Sequence, residues 1–359
     1  MREEGFEMQN TMNQALTQSP LYFDPDNKDV CFPELMPIFH NRFLSFPAGS
    51  QFDRFPEIEG RMPGEVYSDR PAGFEILKDS AVRLTCYAPG AKRVTVMEKE
   101  WKEPLPLQEC KEGYWTGEIA KIRPGFHYQD YYADGNQILN LLMPIGYSDF
   151  RPVNYYEVPG QGDDFFYLKD VPHGTIHMEH YFSNVLGEER VCYVYTPPSY
   201  RKDLTRRYPV LYLQHGFGES ETAWIWQGKV NYIADNLFHE KDIDEAVIVM
   251  NNGYAGNPFG SQQNRWTGFL EMLVQDCIPF IDRKYRTVSN KQGRAVAGDA
   301  MLCHGASVCG ACFDRMRIFN ILPECEDDAL HRQSVKADGI HEWDIKRNGL
   351  KHFLTALSS

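Results

Sequence analysis

Between residues 70 and 160 apolar side chains recur at every second position. Val82, Leu84 and Cys86 alternate with Arg83 and Thr85, Val94 and Val96 alternate with Arg93 and Thr95, and Trp115, Gly117 and Ile119 keep the same period. That period marks half-buried strands. Asp134-Gly135 stands between two strand-like runs and predicts a two-residue hairpin. Short strands with turns between them predict a small β-sandwich over 66–165. Near residue 175 the pattern changes. RVCYVYTPPSY (190–200), YPVLYLQHGFG (208–218), AVIVMNNG (246–253) and Ala295-Val296-Ala297 contain apolar strand runs, two of them long and continuous. Between them Val230, Ile233, Ala234, Leu237 and Phe238 share one helical face. So do Leu270, Leu273, Val274, Cys277, Ile278 and Ile281, with Pro279 predicting a kink. Apolar strands alternating with amphipathic helices predict an α/β domain over 175–359, a mostly parallel sheet with helices on both faces. Residues 1–65 follow neither period. They are rich in Phe and Pro and are predicted to be irregular and laid against the rest of the chain.

Composition narrows the classes. At 359 residues, two domains fit better than one. The net charge of −13 excludes a nucleic-acid partner, and no basic patch stands out. No run of about 18 apolar residues exists, so no membrane span is expected. The opening residues MREEGFEMQNTMNQ carry acidic groups and no apolar stretch, so a cytoplasmic location is expected. The nine cysteines, an odd count at irregular spacings, are then expected to be reduced thiols. The tyrosines 128, 131 and 132 are expected to pack a core or an inter-domain face, with sugar binding as the alternative.

Candidate chemistry gathers where the apolar strands end. KQGRAVAGDAMLCHG (291–305) reads as a short strand entering a tight glycine turn, the layout of a nucleophile elbow. A G-x-S-x-G elbow counted from Gly298 places its serine at position 300, and Ala300 stands there; Leu302 replaces the closing small residue. His215-Gly216-Phe217-Gly218 follows a strand directly, as an oxyanion loop would, so the backbone donors would be Phe217 and Met301. The loops at 215–218, 251–254 and 298–302 are expected outside the carboxyl ends of the strands, where such sheets do chemistry. His341, just before a final helical stripe of Ile345, Leu350, Phe353, Leu354 and Leu357, is the candidate general base. Its acid would come from Glu324, Glu326, Asp327 or Asp328, after the strand MRIFNIL (316–322), and Glu326 and Asp327 are the pair singled out. Other arrangements stay open: a serine elbow shifted to Ser307, Cys303 as a thiol nucleophile, or Cys309-Gly310-Ala311-Cys312 in zinc or redox chemistry, set against small residues packing a helix on the sheet.

Residues 170–359 resemble the enterochelin-esterase and feruloyl-esterase branch of the α/β-hydrolases. The resemblance rests on DVPHG (170–174), VYTPPSY (194–200), YPVLYLQHGFGESETAW (208–224), MNNGY (250–254), DCIPFIDRKYR (276–286), RAVAG (294–298) and HEW (341–343). Residues 71–160 resemble the immunoglobulin-like early-set β-sandwich that precedes this domain in many members. The resemblance implies a serine carboxylesterase acting on feruloyl or other acyl esters of carbohydrate, or related small-molecule esters, without metal or cofactor. His215, Trp224 and Asn252 are then expected to line the substrate pocket. Two departures qualify this. The elbow, similar in the family to G-x-S-M-G-G, reads Gly298-Asp299-Ala300-Met301-Leu302-Cys303. The 41 residues from Ala300 to His341 are fewer than members spend there, as if a block were lost near 313–316. Poor or absent hydrolysis is expected, and a non-catalytic ester- or carbohydrate-binding protein is the alternative. The sequence leaves the oligomeric state open.

Overall fold

The computed structural model describes residues 73–77, 81–99, 101–111, 113–158, 165–216, 218–240, 243–255, 268–298, 317–320, 332–334 and 343–358. The irregular reading of residues 1–65 falls outside them. The chain divides into two compact units, Met1–Gly146 with Pro152–Asp163, and Tyr147–Arg151 with Asp164–Ser359.

The first nine strands are β1 (Phe74–Ile76), β2 (Val82–Tyr87), β3 (Val94–Met97), β4 (Leu105–Lys111), β5 (Tyr114–Ile119), β6 (Gly125–Ala133), β7 (Asn136–Ile138), β8 (Ile145–Ser148) and β9 (Arg151–Val158), all in the first unit apart from Tyr147 and Ser148 of β8 and Arg151 of β9, which belong to the second. They form one curled sheet, ordered β1-β2-β5-β4-β3-β6-β9-β8 with β7 on β6. The period-two positions face its core: Val82, Leu84, Cys86, Val94 and Val96 are fully buried, beside Trp115, Tyr131 and Tyr156. Arg83, on the other face, spans its neighbouring strands with ion pairs to Glu75 and Glu118. The Asp134-Gly135 hairpin joins β6 to β7, with both residues at positive φ (49° and 85°), as a two-residue turn of that hand requires. Of the tyrosines weighed for sugar binding, Tyr131 is wholly buried and Tyr128 and Tyr132 half-buried.

In the second unit β10 (Thr175–Ser183), β11 (Glu188–Thr196), β12 (Val210–Gln214), β13 (Val247–Asn251), β14 (Arg294–Gly298), β15 (Arg317–Asn320) and β16 (Arg332–Ser334) build one sheet, ordered β10-β11-β13-β12-β14-β15-β16. The sheet is mixed. β13, β12, β14, β15 and β16 run parallel, while β10 and β11 are an antiparallel edge. The short turn between β10 and β11 leaves no room for a crossover, so that pair must be antiparallel. β12 and β13 are buried on both faces, which explains their unbroken apolar runs. The helices are α1 (Ala223–Trp226), α2 (Val230–Glu240), α3 and α4 (Trp343–Ser358). α3 is built from α-helical Phe269–Met272, π-helical Leu273–Cys277 and α-helical Ile278–Lys284. The wide turn immediately precedes Pro279, whose missing N–H removes a ladder bond there. β16 was not foreseen, because Arg332-Gln333-Ser334 contains no apolar residue to reveal it.

Asp276 ties α3 to the β10–β11 turn. Its carboxylate accepts the Ser183 hydroxyl at 2.7 Å and the Val185 N–H at 3.0 Å. Burial pushes its pKa up, but these donors outweigh burial and hold the group below the usual carboxylate range. The unfolded chain therefore binds more protons in the window between the two values, and stability there rises with pH. The contribution is complete above the ordinary carboxylate pKa of about 4 and is lost as pH falls through the lowered value. Urea unfolding of the parent and of Asp276→Asn should show a gap near neutral pH that closes in strong acid. A gap that stays constant would mean that the carboxylate charge does not hold this junction.

Candidate functional site

Strand register sets the geometry of the site. Gln214 pairs with Asn251 on one side and with Gly298 on the other; Gly298 pairs with Asn320, and Asn320 with Ser334. The carboxyl ends of five parallel strands thus stand in one row. The oxyanion-type loop leaves it after Gln214, the Asn252 loop after Asn251, and the elbow segment after Gly298.

His215 is buried at the start of the first loop. The Gly253 N–H donates to its Nε2 at 3.0 Å, so the ring proton sits on Nδ1 and is donated to the Gly216 carbonyl at 2.8 Å. With both nitrogens committed, His215 staples the β12 loop to the β13 loop. Glu219, three residues after Gly216, turns back to accept the Gly216 N–H at 2.8 Å. Its other oxygen meets the Lys346 ammonium of α4 at 2.6 Å, with both side chains nearly inaccessible. Lys346 also lies 4.5 Å from the centre of the Trp343 ring. Trp343 packs edge-on against Trp224 at 5.2 Å, and the Trp224 indole donates to the Gln214 carbonyl at 3.0 Å. One chain of contacts therefore runs from the end of β12 through α1 to α4, the helix that begins two residues after His341.

The second loop is equally determined. Asn252 donates to Glu221 at 2.7 Å and accepts the Tyr254 N–H at 2.9 Å. Arg190 donates to the carbonyls of Asn252 at 2.6 Å and Tyr254 at 3.0 Å. Tyr254 closes the arrangement, its hydroxyl accepting the Gly218 N–H at 2.6 Å. Gly218 has φ +75°, and a Cβ there would lie 2.3 Å from the Asp149 backbone nitrogen, so no other residue fits without moving the chain.

Of the residues singled out from sequence, the structure brings His215, Trp224 and Asn252 to this edge. His215 and Trp224 are buried there, and the Asn252 side chain donates to Glu221 of the segment after β12 and accepts the Tyr254 N–H of its own loop. Ala300, Met301, Phe217, His341, Glu326 and Asp327 lie outside the described residues, as do Ser307, Cys303, Cys309 and Cys312. Sequence reasoning missed Glu219, Arg190 and Lys346. A carboxylate three residues beyond a glycine turn was a readable signal for Glu219; Arg190 and Lys346 come from distant segments and left none. Among the described residues no cluster of His, Cys, Asp and Glu suits a metal ion, and no helix is long and apolar enough to cross a membrane. Cys86, Cys110, Cys192 and Cys277 are free thiols, and burial pushes the Cys86 thiol up to about 12.

Residues 183–313 match a family model described as "Putative esterase". The chain is 36% identical over 259 residues to an endo-1,4-beta-xylanase/feruloyl esterase of Xylanibacter ruminicola, a match covering 68% of this chain and 36% of that protein. It therefore spans little more than a third of that relative's length. Among solved structures, the enterobactin esterase of Shigella flexneri superposes with a TM-score of 0.58 at 14% identity, over 82% of this chain and 98% of that one. The ferric enterobactin esterase of Salmonella typhimurium gives 0.52 at 14% identity, over 79% and 95%. At such identities the structural likeness speaks to the fold alone.

The buried Glu219–Lys346 pair generates a test. Removing one partner leaves an uncompensated charge in the interior, so Lys346→Met should cost roughly 3 kcal/mol of stability. Glu219→Gln combined with Lys346→Met should be milder than the sum of the single changes by at least about 1 kcal/mol. Urea denaturation of the four proteins measures this, and strict additivity would show that the two groups do not depend on each other.

Proposed function

We propose that this chain, which resembles the feruloyl- and enterochelin-esterase branch of the carboxylic-ester hydrolases, holds an ester at the carboxyl edge of its mixed sheet and cleaves it poorly or not at all. The observation that carries this reading is the row of strand ends, which sets an oxyanion-type loop beside the strand that leads into the elbow. The ester is a feruloyl or other acyl ester of carbohydrate. What supports that choice is the sequence relationship to a xylanase/feruloyl esterase. The curled sheet of the first unit we read as the immunoglobulin-like early-set module of the same branch.

In a serine esterase the hydroxyl attacks the ester carbonyl while the histidine takes its proton, and two backbone N–H groups hold the oxyanion. On this reading Phe217 and Met301 are the donors, His341 is the base, and Glu326 or Asp327 orients it. Ala300 offers a methyl group where the hydroxyl belongs, so no acyl-enzyme forms there. Loss of a serine nucleophile costs on the order of a millionfold in turnover, and the oxyanion donors and binding alone leave roughly a thousandfold over water. A second reading, a binding protein on an esterase scaffold, is favoured by the intact hydrogen bonding of the framework.

Assays on a nitrophenyl acetate and on methyl ferulate should show only marginal turnover by the parent. Ala300→Ser should not restore full activity, because Leu302 puts a branched side chain where the elbow needs a small one. Robust turnover by the parent would refute the proposal of a missing nucleophile. Full recovery in the single variant would show that Leu302 and the short 300–341 segment are harmless.

A further inference from the structure

Within the second unit, the segment Tyr147–Arg151 carries two consecutive non-glycine residues in the left-handed region, Asp149 at φ +51° and Phe150 at φ +63°. That backbone is rare for a bulky aromatic and unfavourable for any non-glycine residue. The segment is nevertheless held firmly. The buried Gln227 side chain accepts the Tyr147 N–H at 2.9 Å and donates to the Tyr147 carbonyl at 3.2 Å. The Phe150 N–H donates to the Gly218 carbonyl at 3.0 Å. These contacts fix Phe150 against the oxyanion-type loop. Its ring stays 49% exposed and leans on Tyr254, with centroids 5.3 Å apart and planes tilted by 47°. Tyr254 in turn lies 5.3 Å from the His215 ring and binds the Gly218 N–H.

The backbone thus holds a half-exposed aromatic ring at the loop at a cost in conformational energy. We propose that Phe150, backed by Tyr254, is the wall that receives the flat aryl part of the ester's acyl group. The placement suits that task. Gly218 meets both residues, its carbonyl accepting the Phe150 N–H and its N–H donating to the Tyr254 hydroxyl, and it directly follows in sequence the residue assigned above as an oxyanion donor. An aryl ring stacked on Phe150 thereby sets its ester carbonyl toward the loop. Phe150 is a specificity-determining residue, because a ring face rewards a planar aromatic over a saturated group of the same length. This inference rests on the ester-holding reading above.

The parent chain suits the experiment, since Ala300 leaves the ester uncut. Calorimetric titration should show binding of methyl ferulate in preference to methyl 3-cyclohexylpropionate. Phe150→Leu keeps the apolar volume and removes the ring. It should weaken methyl ferulate binding by roughly tenfold while leaving the saturated ester unchanged. Phe150→Trp should bind methyl ferulate at least as tightly as the parent. Unaltered ferulate affinity in the leucine variant, or a tenfold loss in the tryptophan variant, would overturn the aryl wall and leave the ester-holding reading standing. A parent that binds neither ester would overturn that reading, and the wall with it. Thermal unfolding of each variant identifies any that has lost its fold; if leucine does so, the tryptophan variant decides.

Discussion

A buried carboxylate governs the carboxyl edge of this sheet. Glu219 cannot be left ionised in the interior without compensation. Its two oxygens are satisfied by groups more than a hundred residues apart, the Gly216 N–H and the Lys346 ammonium. Gly216 belongs to the loop after β12, and Lys346 to the last helix. With two glycines, the run His215-Gly216-Phe217-Gly218 takes its path from contacts with other segments and from its own histidine. Glu219 and the two nitrogens of His215 impose it, and Lys346 carries the constraint to α4. The site is therefore a property of the tertiary structure rather than of the loop.

That division separates what could be read in the sequence from what could not. The apolar runs of β12 and β13 follow from burial on both faces, and the stripe of Val230, Ile233, Leu237 and Phe238 lies on a helix whose residues 230–238 are all buried, with hydrogen-bonded polar groups such as Asp235 and Asn236 on its other side. Local periodicity reports both. β16 has no apolar residue, and its place comes only from pairing with β15. The antiparallel edge was hidden because side-chain pattern does not encode strand direction; β11 pairs antiparallel with both β10 and β13. At the site, the glycines and His215 were visible as a motif, yet the use made of His215 was not. A histidine in an HGFG run suggests a ligand or a base until Gly253 is seen donating to it. Glu219, Arg190 and Lys346 act across the fold, where no short window could reveal them.

The contacts of the framework bear on what substitution at the elbow does. Arg190 on the Asn252 and Tyr254 carbonyls, Glu221 on Asn252, Glu219 on Gly216 and Lys346, and Gln227 on Tyr147 all close among residues other than 299–303. None of them needs a serine at position 300. A change of side chain at position 300 would therefore leave each of these donors and acceptors paired.

Strain adds a further reason to treat that shape as selected rather than residual. Where no ligand is contacted, relaxation of Asp149 and Phe150 to ordinary backbone angles, or glycine at either position, would gain stability. The segment instead keeps the unfavourable angles and spends the Gln227 amide and the Gly218 carbonyl to hold them. Gly218 is itself committed to a left-handed conformation that brings its chain against Asp149. The unstrained left-handed turn at Gly218 and the strained one at Asp149 and Phe150 lie against each other, and an ester held on the proposed wall would lie across both. An ester has that form, with a carbonyl for the loop and an acyl group for the ring.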